Sequence, residues 1–219
     1  MLATFEKRER LRHIGHLDIL RAMQRALRRS GLPAAYSQGF NPHILLTFAS
    51  ALSVGASGEC EIMEVTLTEE VTPEAFLAAM NKALPPELPL TGARVLEDRH
   101  PAAMALVKAA RYRIVPLEHM EQLAAALPGY LSQEEIQAER KTKSGVKPCD
   151  IRPLIYELEA REDGLHCLLA LTETESCKPN MLMETLCAYA GVPVPRLRLI
   201  RVGLLGQDAQ GQLVPLETL

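Results

Sequence analysis

The spacing of apolar side chains predicts a long amphipathic helix near the start of the chain. Residues 16–30 carry apolar side chains at helical spacing on one side, beginning with Leu17, and a row of arginines on the other. Gly31 follows this segment, and Pro33 comes two residues later. Because glycine suits the position after a helix and proline cannot continue one, the helix is expected to end there.

Shorter segments around this helix predict the element order β-α-β-β-α-β. The expected strands occupy residues 2–12, 44–49, 61–68 and 88–96. A second helix is expected from Pro73 to about residue 84, since the preceding threonine can cap it and proline suits the first turn. This order is that of the ferredoxin-like fold, or split βαβ, with helices on one face of an antiparallel sheet.

The second half of the chain repeats this order with one additional strand. Its expected strands occupy residues 111–117, 134–141, 151–161, 165–172 and 197–205, and its expected helices occupy 118–127 and 178–190. Pro128 is expected to end the first of these helices, and a basic loop is expected at 141–150.

The predicted fold is therefore α+β, with two tandem ferredoxin-like lobes whose antiparallel sheets carry helices on one face. The first lobe is expected at residues 1–98 and carries the loop with the sequence GFNPH. The second is expected at 106–219, as a modified lobe with a basic hairpin insertion.

Basic side chains are concentrated in two segments, although the formal net charge is only −3. Residues 1–31 hold eight Arg and Lys against three acidic residues, and residues 140–152 hold five against one. Local basic patches on a mildly acidic protein suit a phosphate-rich partner such as RNA.

The five cysteines are widely spaced, and no secretion signal is evident, which predicts reduced thiols and a cytoplasmic location. The spacing also lacks the clusters that bind iron–sulfur centres or zinc. No apolar run approaches the roughly 20 residues of a membrane span, so no membrane contact is expected. The nucleotide-binding pattern GxxxxGK[ST] and the metalloprotease pattern HExxH do not occur.

Polar side chains cluster in the loop between the first helix and the second strand. Ser37, Asn41 and His43 bring hydrogen-bonding groups together within seven residues, and Phe40 adds an aromatic ring. This mixture suits recognition of a nucleotide base or a phosphate. A turn that contains Gly39 and an Asn-Pro pair explains the same residues without any ligand.

The first half also contains weak candidates for catalysis. His43 could act as a general acid or base near neutral pH, with Asp18 or Glu59 as a carboxylate partner. His13 and His16 could join them at a metal, but no tight ligand motif supports this, and no metal site is predicted.

Cations in both halves are candidates for phosphate contacts, and solvated surface is the alternative explanation for them. The candidate nucleic-acid-binding residues are Arg12, Arg21, Arg25, Ser37, Phe40, Asn41, His43, Lys141, Lys143, Lys147 and Arg152.

Several short strings in the chain resemble the radical-SAM-linked proteins, a bacterial family of unknown function. The strings are RLRHIGHLD at residues 10–18, ALRRSGLP at 26–33, YSQGFNPH at 36–43, ALSVG at 51–55 and DIRP at 150–153. Members of that family occur beside a radical SAM protein or fused to its C-terminus. The family commonly continues its Asn-Pro-His with proline and a basic residue, whereas Ile44 and Leu45 stand here, which weakens any phosphate contact at that point.

The resemblance implies a partner rather than a resident cofactor. The partner would be a radical SAM enzyme that holds S-adenosylmethionine and an iron–sulfur cluster, while this chain binds no cofactor. The expected function is a non-catalytic accessory protein that presents RNA or a ribonucleoprotein to that enzyme. One alternative is an RNA-processing or RNA-modifying enzyme with a His and carboxylate site in the first lobe, and another is a subunit that only docks on a protein.

Overall fold

The computed structural model describes residues 1–97, 99–142, 145–172 and 174–219. Contacts divide the chain into two compact units. The first unit contains Met1–Val107 and Arg201–Leu219, and the second contains Lys108–Ile200. The predicted lobes differ from these units chiefly in residues 201–219, which return to the first unit.

Strands and helices alternate along the described residues, giving a mixed α+β structure. The strands are β1 (Leu2–Lys7), β2 (Leu46–Phe48), β3 (Ala56–Val65), β4 (Leu90–Arg94), β5 (Ala109–Pro116), β6 (Gln137–Thr142), β7 (Gly145–Asp150), β8 (Ile155–Arg161), β9 (Gly164–Ala170), β10 (Leu197–Gln207) and β11 (Leu213–Pro215). The helices are α1 (His16–Ser30), α2 (Pro73–Ala83), α3 (Ala103–Leu106), α4 (Met120–Leu131) and α5 (Pro179–Ala190). Short 3-10 helices occur at Glu9–Leu11, Arg152–Leu154 and Leu216–Thr218.

The sheet of the first unit is built mainly from antiparallel pairs. Strand β1 lies between β3 and β4 and is antiparallel to both. Strand β2 is antiparallel to β3, and β10 also lies beside β3 and pairs with β11. The core contains Phe5 and Met63 from the sheet together with Met23 from α1 and Phe76 and Met80 from α2, all of them buried.

The bounds predicted for the first helix are confirmed, but the side predicted to be buried is wrong at its start. Gly31 follows α1 with φ 74°, the left-handed conformation that glycine adopts readily. The buried residues are Ile19, Met23, Ala26 and Leu27, whereas Leu17 is 61% exposed. At 100° per residue Leu17 lies about 160° away from Ile19, so one leucine row does not mark the core side.

The second unit has its own antiparallel pairs. Strand β9 lies between β5 and β8 and is antiparallel to both, and β10 lies on the other side of β5. Helices α4 and α5 are joined by a 2.7 Å hydrogen bond between the hydroxyls of Tyr130 and Thr185. Tyr130 is almost completely buried, so this bond satisfies a hydroxyl that has little access to water.

The helix end predicted at Pro128 is wrong. Helix α4 continues through this proline to Leu131. The proline costs one hydrogen bond inside the helix, but its carbonyl still accepts from the backbone N–H of Ser132 at 3.2 Å. The Ser132 hydroxyl also donates to the carbonyl of Gly129 at 2.8 Å, which satisfies a carbonyl at the end of the helix.

The basic loop predicted at residues 141–150 is also wrong, because most of it is strand. Strands β6 and β7 form an antiparallel hairpin in which Arg140 lies opposite Lys147. Gly145, with φ 122°, begins the second strand in a conformation that other residues rarely adopt. Lys143, a predicted phosphate contact, lies outside the described residues.

Candidate functional site

The first unit contains a buried ion pair between Arg201 of β10 and Glu61 of β3. Arg201 Nε donates to Glu61 Oε1 at 2.8 Å, and its Nη2 donates to the other carboxylate oxygen. The two side chains are only 2% and 4% exposed. Two parallel bonds in a buried setting are the geometry in which an arginine and a carboxylate interact most strongly.

The remaining donors of the same guanidinium reach the segment that follows β2. Arg201 Nη1 donates to the Ser50 hydroxyl and to the Ala51 carbonyl, both at 3.2 Å. Its Nη2 donates to the Ser50 carbonyl at 3.2 Å. Arg201 therefore holds β3 and residues 50–51 together, and these bonds offset the cost of removing its charge from water.

Lys7 adds a second buried cation at the end of β1. Its Nζ donates to the carbonyls of Ala56 at 3.0 Å and Arg12 at 3.2 Å. Burial lowers the pKa of Lys7 from its usual 10.5; the Glu61 carboxylate opposes this effect, and the Arg201 charge adds to it. Lys7 thus fixes the chain on both sides of α1 through two carbonyl groups.

A narrow pocket lies beside these charges, with His16 at the first position of α1. The imidazole meets the Phe48 ring edge-on, with 5.2 Å between the ring centres. Lys7, Ser50 and Glu61 also line the pocket. Its free volume of about 10 Å³ is close to what one water molecule requires.

His16 is expected to make the first unit less stable in mild acid. Burial, and then the Arg201 charge, lower its pKa from 6.5, although Glu61 acts in the opposite direction. The unfolded chain therefore binds this proton more readily, so stability is complete above pH 6.5 and falls as the pH drops below it.

Urea unfolding at pH 7.5 and pH 5.0 measures this effect. The His16→Gln variant should lose less stability between the two pH values than the unmodified protein does. His13→Gln, which removes an exposed histidine three residues away, is the matched control and should leave the difference unchanged. Equal losses in the His16→Gln variant and the unmodified protein would show that this imidazole does not couple to folding.

The loop between α1 and β2 is closed by hydrogen bonds between its two ends. The Ser37 hydroxyl bonds His43 Nδ1 at 2.8 Å and accepts from the His43 backbone N–H at 3.1 Å. The Ser37 backbone N–H donates to the His43 carbonyl at 2.8 Å. Between these ends Gly39 has φ 124°, and the Phe40 side chain is fully exposed. The sequence prediction of a polar loop with one aromatic ring is in line with this geometry.

The weak catalytic candidates have different surroundings. Asp18 forms an exposed ion pair with Arg21 at 2.9 Å, one turn along α1. His43 is bonded to Ser37, as described, and Glu59 is an exposed residue of β3. In the part of the chain that the structure describes, no group of three or more His, Cys, Asp or Glu side chains is placed to hold a metal ion.

The predicted phosphate contacts are spread over several elements. Arg12 pairs with Glu9 and donates to the ring of His13 at 3.0 Å. Arg25 is exposed on α1, and Lys147 is exposed on β7. Asn41 is exposed beside Phe40, and Lys141 lies in β6.

The DIRP string has a structural role in the second unit. Asp150 Oδ1 accepts from the backbone N–H groups of Ile136 at 2.8 Å and Arg152 at 2.9 Å. Arg152 is half-buried, and its Nε donates to the carbonyl of Leu131 at the end of α4 at 3.1 Å. These bonds hold the base of the β6–β7 hairpin in place. The bond to Leu131 also occupies one guanidinium nitrogen of Arg152, a predicted phosphate contact.

Sequence reasoning named His16 among the polar residues of the first half but gave no role to Lys7 or Arg201. Arg201 lies 140 positions from Glu61, so no local spacing joins them. One signal was present, because Arg201 stands between Ile200 and Val202 in a segment that predicts a strand. A cation inside an apolar strand is rarely buried without a partner. The position of Arg201 therefore predicts an acidic partner for it.

Fold and site together define a two-unit α+β protein with a buried ion-pair cluster and a loop that exposes an aromatic ring. Residues 1–182 match a family described as an uncharacterized protein conserved in bacteria (DUF2344), and the chain belongs to this family. No curated protein matches the chain. The connection with radical SAM proteins stays a prediction from the sequence strings, since the family description does not mention them. Within the described residues, no helix has both the length and the apolar character needed to cross a bilayer.

Proposed function

We propose that this protein is a non-catalytic accessory protein that binds single-stranded RNA, or a ribonucleoprotein, and presents it to a radical SAM enzyme. The observation that carries the RNA-binding part is the fully exposed ring of Phe40. An exposed phenylalanine forgoes about 1.5–3 kcal/mol that burial would provide. A nucleotide base stacked on the ring recovers a similar amount, about 1–3 kcal/mol, whatever the base is.

The loop that carries Phe40 is ordered before any ligand arrives. Its ends are joined by the three hydrogen bonds between Ser37 and His43. Ordering a loop on binding weakens affinity, and here folding has already ordered it. The exposed amide of Asn41, next to the ring, supplies hydrogen bonds for a base edge.

Exposed cations supply the phosphate contacts of the proposal. Arg25 and Arg28 lie three positions apart on α1, where residues at this spacing are neighbours on one face. Lys147 offers a further exposed cation in the second unit. Such contacts add affinity without sequence preference, so they complement stacking on Phe40.

The proposed fold class is a pair of ferredoxin-like lobes, each with the element order β-α-β-β-α-β. In the first unit, the order β4-β1-β3 with β2 on the far side of β3 supports this assignment. In the second unit, the order β10-β5-β9-β8 supports it, with the β6–β7 hairpin inserted between α4 and β8.

The proposed enzyme partner rests on the resemblance of the sequence to radical-SAM-linked proteins. S-adenosylmethionine and the iron–sulfur cluster belong to that partner in the proposal, and a cytoplasmic location goes with it. Catalysis by this chain is the second candidate function, which the convergence of Lys7, His16 and Glu61 on one pocket favours. We rank it below binding because a pocket with space for about one water molecule does not admit a nucleotide.

The Phe40→Ala variant is expected to bind single-stranded RNA about 5- to 150-fold more weakly, since loss of one stacked base costs about 1–3 kcal/mol. Fluorescence anisotropy with a labelled RNA of mixed sequence measures the affinity. Tyr156→Ala is the matched control, because it removes another exposed aromatic ring, on β8. It should bind like the unmodified protein.

A salt series completes this test. Affinity for RNA should fall steeply between about 50 and 200 mM salt, because phosphate contacts release bound counterions. The RNA-binding proposal fails if the unmodified protein does not bind at the lowest salt concentration. It also fails if Phe40→Ala and Tyr156→Ala bind equally well.

A further inference from the structure

The first unit contains a second, much larger concavity, the acidic groove, with a volume of about 1280 Å³. Its lining comes mainly from residues 43–47 around β2, residues 64–73 between β3 and α2, and residues 95–97 after β4. Its size exceeds that of the pocket beside His16 by two orders of magnitude, so it can admit a chain segment.

The charged side chains that line the acidic groove are mostly carboxylates. Four glutamates line it, namely Glu64, Glu69, Glu70 and Glu97. Glu64 accepts a hydrogen bond from the Ala103 backbone N–H at 3.0 Å, whereas the other three are exposed and form no ion pair with any described residue.

Few positive charges balance these carboxylates. The N-terminal amine of Met1 is in the lining, where it donates to the Val65 carbonyl at 2.9 Å. Burial lowers its pKa from the usual 8.0, and Glu64 opposes that change. His43 and His100 are the other basic side chains of the lining, so four carboxylates face at most three basic groups.

Apolar side chains alternate with the charged ones. Leu45 is exposed, and Val95 is 63% exposed, although both are aliphatic. Strand β2 beside them pairs with β3, and the backbone N–H groups of Leu45 and Leu46 already donate to the carbonyls of Ala35 and Ile44, both at 2.9 Å. A peptide in the groove is therefore held by its side chains, through charge pairing and apolar contact, rather than by addition to a sheet edge.

We propose that the acidic groove binds an extended segment of a partner protein in which Lys or Arg alternates with aliphatic residues. The cations pair with Glu69, Glu70 and Glu97, and the aliphatic side chains cover Leu45 and Val95. An RNA strand does not fit, because its phosphates meet carboxylates. This proposal does not depend on the RNA-binding function, since charge directs the two partners to different residues.

A fluorescent nine-residue peptide of alternating Lys and Val tests the proposal with the full chain. It should bind at low salt, whereas a peptide of alternating Glu and Val should not. The variant Glu69→Gln/Glu70→Gln/Glu97→Gln should bind the lysine peptide about tenfold more weakly, because three exposed pairs contribute about 0.5 kcal/mol each.

The matched control is Glu134→Gln/Glu162→Gln/Glu184→Gln, which removes three exposed carboxylates outside the groove. It should bind the lysine peptide within about twofold of the unmodified protein, since only distant charges change. Equal weakening in both triple variants would overturn the proposal, because net charge alone would then explain it. Displacement of the peptide by single-stranded RNA from the same site would also overturn it, as would no binding at low salt.

Discussion

Replacing Arg201 with methionine is expected to lower the free energy of unfolding by about 3–5 kcal/mol. The change leaves the Glu61 carboxylate buried without its guanidinium partner. It also removes the bonds to the Ser50 hydroxyl and to the carbonyls of residues 50 and 51. A buried charge that has lost its partner costs far more than the pair itself contributes.

Urea unfolding followed by circular dichroism measures this loss. Arg198→Met is the matched control, because Arg198 is exposed on the same strand, and it should change stability by no more than about 0.5 kcal/mol. The double variant Arg201→Met/Glu61→Met should regain at least half of the loss, since it removes both buried charges. Lys7 then lacks a counter-charge, so full recovery is not expected. A single Arg201→Met variant within about 1 kcal/mol of the unmodified protein would contradict this account.

The second large effect is expected from Gly164→Ala at the first residue of β9. Gly164 has φ 133°, and a Cβ atom added there would lie 2.4 Å from the backbone carbonyl oxygen of Ile114. Backbone strain of this kind costs about 1–3 kcal/mol, and overpacking against a rigid backbone costs about as much again. We therefore expect a loss of about 4 kcal/mol in the second unit.

Gly211→Ala separates the two contributions. Gly211 also has a positive φ, 78°, but a Cβ atom there meets nothing within 4 Å. Only the backbone cost remains, about 1–2 kcal/mol. Thermal unfolding of both variants, each compared with the unmodified protein, gives the difference. Equal losses at the two positions would show that contact with the Ile114 carbonyl contributes nothing.

Sequence patterns predicted local elements better than they predicted contacts. The ends of α1 were correct because glycine and proline act on the backbone locally. The side of α1 predicted to be buried was wrong only at its start, since Leu17 is exposed although Leu27 of the same row is buried. The helix end predicted at Pro128 was also wrong, because α4 continues through this proline in spite of one missing hydrogen bond.

The same distinction applies to the candidate site, whose local features were evident from the sequence and whose long-range contacts were not. Residues of the Ser37–His43 loop lie close together in sequence, so their proximity was evident from the start. The pairing of Glu61 with Arg201 depends on how β10 is placed beside β3, which only the complete sheet determines. The acidic groove was missed because its lining joins segments that are individually unremarkable, and only their convergence makes a charged surface.

The return of residues 201–219 to the first unit decides how the two units can be isolated as fragments. The second unit is one continuous stretch, Lys108–Ile200, but its end falls inside β10 (Leu197–Gln207), so a fragment of this unit divides that strand. A fragment that stops at Val107 instead lacks the arginine that neutralises Glu61. An isolated first unit has to carry Arg201–Leu219 through an engineered linker, or as a separate chain that complements it.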